Sequence, residues 1–152
     1  MQILIPKNLE SEFSADPIAD ILKRHHTVAV VGLSSNPERA SNHVGDYIKS
    51  AGYRMIPINP NEREVFGEKS YADLATAAAA IAPQKIEIVD IFRRLENIPP
   101  VIDSAIAVGA KVIWMQLGIE HAEAAAKAIA AGLIVVMDAC LFVEHKRRRS
   151  SL

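Results

Sequence analysis

Apolar residues in this chain gather into short unbroken runs separated by stretches with helical spacing. The runs stand at residues 27–32 (TVAVVG), 53–60 (YRMIPINP), 85–92 (KIEIVDIF), 111–118 (KVIWMQLG) and 133–140 (LIVVMDAC). They are rich in β-branched residues and the first lacks polar–apolar alternation, the pattern of a parallel strand buried on both faces. Pro57, inside the second run, weakens its expected regularity. Between the runs, Ile18, Ile21 and Leu22 share one face of a short helix over 17–25, opened by the capping carboxylate of Asp16 and by Pro17. Val44, Tyr47, Ile48 and Ala51 form a second stripe, with Ser41 as the expected cap and Gly52 as the stop. Further helices are expected over 71–81, 99–109 and 120–132, and residues 61–70 read as a polar connection.

This regular β-α alternation predicts a single α/β domain: a doubly wound, five-stranded parallel sheet with helices on both faces. Right-handed crossovers favour the strand order 3-2-1-4-5, counting the runs along the chain. Residues 15–146 make up this domain, 1–14 an N-terminal extension, and 147–152 a flexible basic tail. Residues 146–149 (KRRR) are read as a solvated, frayed end.

A length of 152 residues, half of them hydrophobic, suits one domain with a real core. The net charge of −1 provides no basic field for nucleic acid or an anionic membrane surface. Cys140 is the only cysteine, which rules out an intramolecular disulfide and suits a reducing compartment. The N-terminus lacks the long apolar core of a signal peptide, and no apolar stretch nears the ~18–20 residues of a membrane span. A soluble, cytoplasmic protein is expected.

Ligands of open α/β sheets bind beyond the carboxyl ends of the strands. Five corners qualify: Gly32-Leu33-Ser34-Ser35, Asn59-Pro60-Asn61, Asp90-Ile91-Phe92-Arg93, Gln116-Leu117-Gly118 and Asp138-Ala139-Cys140. The helix after Ser41 aims free N–H groups at the first corner, a favourable place for phosphate. A dinucleotide fingerprint would need three glycines and an acidic residue at the end of the second strand. Only Gly32 is present, Ser34 replaces the second glycine, and the second run ends in Asn59-Pro60-Asn61. A nucleoside-triphosphate P-loop is excluded by the absence of any Gly-Lys-Ser/Thr triplet.

Taken together, VAVVGLSSNPERAS, YRMIPINPN, VDIFRR, VIWMQLGI and VVMDACLFVEH resemble, in this order and spacing, the small stand-alone CoA-binding proteins. The resemblance spans roughly residues 15–146. It implies a Rossmann-like fold similar to the CoA-binding domain of the succinyl-CoA ligase α subunit, and coenzyme A or an acyl-CoA as cofactor. It further implies that Gly32, Ser34 and Ser35 line the phosphate turn, with Arg39 available for a bidentate phosphate contact. Asn59 and Pro60 match the corner that approaches the adenosine phosphate. Asp90, Ile91, Phe92 and Arg93 match the corner contacting the nucleotide and upper pantetheine, and Gln116 and Gly118 the corner where an amide pairs with pantetheine amides. The ligase relatives carry a lysine after the proline, whereas Asn61-Glu62 stand here, so Arg39 or Arg93 is the expected substitute for a 3′-phosphate contact.

Other residues have plainer readings. Trp114 lies inside a strand and reads as core, while Phe92, at a strand end, is the better candidate for stacking. His25 and His26 suit the end of the first helix, and His43 stands near the phosphate turn. His121 reads as a surface residue. The histidines are too scattered to form a metal set with Cys140. Cys140 reads as a small buried apolar residue, with mixed-disulfide formation with the coenzyme thiol as the chemical alternative. The ligase relatives work through a phosphohistidine on a second domain and an ATP-binding partner subunit, and this chain has room for neither. No nucleophilic elbow or Ser-His-Asp arrangement is visible. The expectation is a non-catalytic CoA carrier, sensor or accessory protein to a partner enzyme. An NAD(P)-dependent enzyme or an interaction module without nucleotide remains the alternative.

Overall fold

The five buried runs all become strands in a computed structural model that describes residues Met1–Leu152. In chain order the elements are β1 (Gln2–Leu4), α1 (Pro17–Arg24), β2 (Thr27–Val31), α2 (Ala40–Ser50), β3 (Arg54–Ile58), β4 (Glu64–Val65) and β5 (Glu68–Lys69). They continue with α3 (Leu74–Ile81), β6 (Ile88–Ile91), α4 (Ile98–Ala107), β7 (Val112–Met115), α5 (Ala122–Ala130), β8 (Ile134–Met137) and α6 (Leu141–Arg148). No helix is long and apolar enough to cross a membrane.

The main sheet has six strands in the order β1-β8-β7-β6-β2-β3, and β4 and β5 pair as a separate two-stranded ribbon. Two expectations are thereby corrected. The N-terminal segment supplies a sixth strand, β1, antiparallel to β8 with Gln2 opposite Met137. The five parallel strands follow the order 2-1-3-4-5 instead of 3-2-1-4-5, because β6 pairs with β2 on the side opposite β3. Pro57 supplies the physical reason. Its carbonyl accepts from Tyr71 N–H on the side away from β2, so its nitrogen, which has no proton, lies on that same open side. In the order 3-2-1 this strand would be central, and Pro57 would interrupt a ladder; at the edge it interrupts nothing.

Successive residues of β2 feed opposite layers. Ala29 and Val31 pack with Leu74, Ala77, Ile98, Ile102, Ala124 and Ala128 from α3, α4 and α5. Val28 and Val30 pack with Ile18, Ile21, Leu22, Val44, Ile48 and Leu141 from α1, α2 and α6. Trp114 is fully buried in the second layer, as its place within a strand implies, and its indole N–H donates to the Ala139 carbonyl at 2.9 Å. Ile3, Ile5, Leu9 and Phe13 cover the same layer, so the N-terminal segment is packed against the core.

The caps are only partly those expected. Asp16 Oδ1 accepts from Ala19 N–H at 3.3 Å and opens α1 as predicted. Ser41 does not cap α2: the helix begins at Ala40, and buried Ser41 turns its hydroxyl to the preceding loop. His121, expected only as a surface residue, caps α5 by accepting Ala124 N–H on Nδ1 at 3.1 Å.

α6 also runs two residues into the segment assigned to the basic tail. There Arg148 bridges Asp16 Oδ2 at 2.8 Å and Glu144 Oε1 at 2.9 Å, tying the last helix to the cap of the first. The hydrogen bond from Arg148 holds the Asp16 carboxyl below its ordinary range. A depressed carboxylate pKa contributes stability that is present above the unfolded-state value and is lost as pH falls through the folded one. We expect Arg148→Ala to lower unfolding free energy by about 1–2 kcal/mol, because it leaves nearly buried Glu144 short of a partner while the exposed Asp16 contact adds little. Urea denaturation at pH 7 measures this loss, and only its small Asp16 share should disappear at pH 3.

Candidate functional site

The revised strand order puts the topological switch between β2 and β6, and the residues leaving those strands meet there. Gly32 follows β2 with φ +88°, and a Cβ on it would lie 2.2 Å from the Phe92 carbonyl oxygen. Only a residue without a side chain permits this approach. Beyond it the polar loop is held by buried side chains of α2. Ser34 N–H donates to Ser41 Oγ at 3.0 Å, and Asn42 Nδ2 donates to the Ser34 carbonyl at 3.0 Å. Asn59, just past β3, adds a third tie by donating from Nδ2 to the Leu33 carbonyl at 2.9 Å. The loop lacks further glycines because side-chain hydrogen bonds shape it.

This framework encloses a cavity of about 390 Å³ lined by Gly32, Ser34, Arg39, Ala40, Ser41, Asn59 and Phe92. The N–H groups of Ala40 and Ser41, in the first turn of α2, have no acceptor within the chain. With exposed Arg39 beside them, they make a place for anionic oxygen. Ser34 Oγ accepts from Asn36 N–H at 3.0 Å, and its proton is free to donate outward.

Two further cavities adjoin this one. Ala40 and Phe92 also line a mostly apolar cavity of about 500 Å³, with Val44, Leu117, Ile119, Phe142 and Cys140 on its walls and the Gln116 amide among them. Asn59 also lines a polar cavity of about 990 Å³ that includes Ser35, Pro60, Glu62, Arg63 and Lys69. Ala72 joins that to a small pocket of about 130 Å³ between α3 and α4, where Arg93 lies beside Val31, Ile58, Leu74 and Val101. The succession is an apolar groove, an anion-binding turn, a polar corner and a small apolar slot.

Nine of the twelve residues expected at the site therefore line connected cavities: Gly32, Ser34, Ser35, Arg39, Asn59, Pro60, Phe92, Arg93 and Gln116. Three do not. Ile91 is fully buried in the core facing α3 to α5. Gly118 lies outside these cavities, its N–H given to Asp138 Oδ1 at 2.7 Å. Asp90 is fully buried beneath the switch point, between Val30 and Trp114 of the flanking strands, and neither carboxylate oxygen has a hydrogen-bond partner. Desolvation raises its pKa well above the ordinary carboxylate range. Gln116 has a double task, since its Oε1 accepts Leu141 N–H at the start of α6 at 3.0 Å and leaves the amide NH₂ for the groove.

Sequence reading passes over Ser41 and Asn42 as loop anchors, Ala72 in the slot, and Phe142 of α6. For the two loop anchors a signal was available: small polar residues stand in the first turn of an otherwise amphipathic helix, where their side chains can bond to the preceding loop. His43 lines the apolar cavity, but its Nε2 is bound to the Pro37 carbonyl at 2.6 Å. No three His, Cys, Asp or Glu side chains are placed to share a metal ion.

Residues 26–146 match the CoA binding domain family. The uncharacterized protein YneT of Bacillus subtilis (strain 168) is 38% identical over 128 residues, which is 84% of this chain and 91% of that one. Among solved structures, a hypothetical protein from Pyrococcus horikoshii OT3 superposes with a TM-score of 0.80 at 37% identity, covering 97% of this chain and 98% of that one. A dinucleotide forming acetyl-coenzyme A synthetase of Ca. Korarchaeum cryptofilum shares the fold, with a TM-score of 0.62 at 22% identity over 84% of this chain and 27% of that one.

Proposed function

This chain belongs to the CoA-binding domain family, and from that premise we propose that it binds coenzyme A or an acyl-CoA without catalysing a reaction by itself. One observation carries the reading: Ala40 and Phe92 line both the anion-binding turn and the apolar groove. Coenzyme A joins a pyrophosphate to a long neutral arm, and a site for it needs those two environments in immediate succession. The pyrophosphate belongs at the N-terminus of α2 with Arg39, and the arm in the groove, where the Gln116 NH₂ can donate to its amide carbonyls. Adenosine belongs at the polar corner and the slot beside Arg93.

The titratable groups that line the groove, Glu38, His43 and Cys140, share no hydrogen bond with one another, which supports a binder over an enzyme. His43 is tied to a carbonyl, Asp138 to Gly118 N–H, and Asp90 is sealed below the surface. That disposition supports our reading of a carrier, sensor or accessory role to a partner enzyme.

Thermal unfolding in parallel with CoA, acetyl-CoA, NAD, NADPH and ATP tests the reading. A ligand at one hundred times its Kd adds about 2.7 kcal/mol of stability, and we expect CoA or acetyl-CoA to give the large response. A larger response to NAD or NADPH would favour an oxidoreductase, and none to any nucleotide would end the proposal. Arg39→Ala should weaken CoA binding about tenfold by removing a charge-assisted phosphate contact. Titration calorimetry showing unchanged affinity would move the phosphate elsewhere.

A further inference from the structure

The polar corner after β3 already holds an anion of the protein's own. Glu62 stands in a turn closed by its N–H on the Asn59 carbonyl at 3.3 Å and by Asn61 N–H on Asn59 Oδ1 at 2.9 Å. From this turn its side chain reaches back to the loop after β2, where Oε2 accepts Ser35 N–H. Both residues line the 990 Å³ cavity. A loop N–H that binds a carboxylate binds a phosphate oxygen by the same chemistry, so the two anions compete for one donor.

The position gives the competition a meaning. In doubly wound folds the corner beyond this strand receives the adenosine ribose. An acidic side chain there suits free ribose hydroxyls, whereas a cation accommodates a ribose phosphate. Arg63 and Lys69 line the same cavity, but Glu64 stands with Glu62 and offsets them. Glu62 alone among these charged side chains is bonded to the loop.

We propose that Glu62 is a specificity-determining residue that occupies the Ser35 N–H and disfavours a phosphate on the ribose of the bound coenzyme. The inference rests on the coenzyme reading above and concerns the phosphorylation state that the site prefers. Glu62→Gln retains an acceptor for Ser35 while removing the charge, and Glu62→Ala removes both. Calorimetric titration of the wild type and both variants with CoA and with dephospho-CoA separates the possibilities, with thermal melts showing that each variant is folded.

We expect Glu62→Gln to bind CoA about tenfold more tightly than the wild type does, and dephospho-CoA with less than about a twofold change. Equal changes for the two ligands would overturn the proposal, as would weaker CoA binding, which would make Glu62 only a staple between loops. In either case the coenzyme reading stands, because the wild type still binds. If neither ligand binds to the wild type or the variants, the coenzyme reading fails and this inference fails with it.

Discussion

Gly32→Ala should lower unfolding free energy by roughly 2–5 kcal/mol and abolish measurable CoA binding. Two penalties combine at this position. The φ of +88° is strained for any L side chain, worth about 1–2 kcal/mol. The added methyl would also meet the Phe92 carbonyl oxygen at 2.2 Å. That neighbour is backbone at the end of a central strand, so relief requires moving β2 or β6, an overpacking strain of typically 1–3 kcal/mol. Gly52→Ala is the control, since its φ is +97° and nothing lies within 4 Å of the new Cβ. It should show only the conformational penalty, about 1–2 kcal/mol. Urea unfolding of both variants compares the two directly. Equal losses would mean that the contact across the switch point is unimportant, and that the glycine serves the turn alone.

Asp90→Asn should stabilise the protein at alkaline pH and make little difference in acid. The wild-type carboxyl is buried without a partner, and its pKa is raised by desolvation. For a carboxyl raised in the folded state, the native protein binds more protons than the unfolded chain between the two pKa values. Stability therefore falls as pH rises from the ordinary carboxylate range through the raised value, then levels off. Keeping an unpaired carboxylate buried costs several kcal/mol, so a gain of about a few kcal/mol is expected for the neutral amide well above the ordinary carboxylate range. Denaturant midpoints of the two proteins should diverge as pH rises above about 4. Parallel profiles for the two proteins would show that Asp90 has a partner, such as an internal water, that keeps its charge tolerable.

Much of this architecture was legible because buried parallel strands announce themselves: Thr27–Val31 and Ile134–Met137 are continuous apolar runs that helices cannot use in the same way. The strand order was not legible from the alternation, which is identical for both doubly wound arrangements. Pro57 carried the distinguishing information, since a strand that lacks a donor in mid-run belongs at an edge. β1 was hidden because three residues give no periodicity, and its partner β8 is the last strand in the chain. At the site, residues that line space through backbone geometry, such as Gly32, could be found from the turn they imply. Asp90 and Ile91 could not be sorted from Phe92 without the burial, because the chain passes from interior to mouth between Ile91 and Phe92. Glu62 was visible only as a missing lysine; its contact with Ser35 depends on how two loops meet.

Pro57 has a consequence outside the site. A sheet grows from its margins, and the β3 margin is poorly suited to recruit another strand. It lacks one donor at Pro57, while Tyr71 already uses the neighbouring Pro57 carbonyl and Asn59 N–H. The opposite margin, β1, is three residues long. Blunted edges of these two kinds hinder chain-to-chain strand pairing, so a protein with such a β-branched interior resists stacking into fibrils at high concentration.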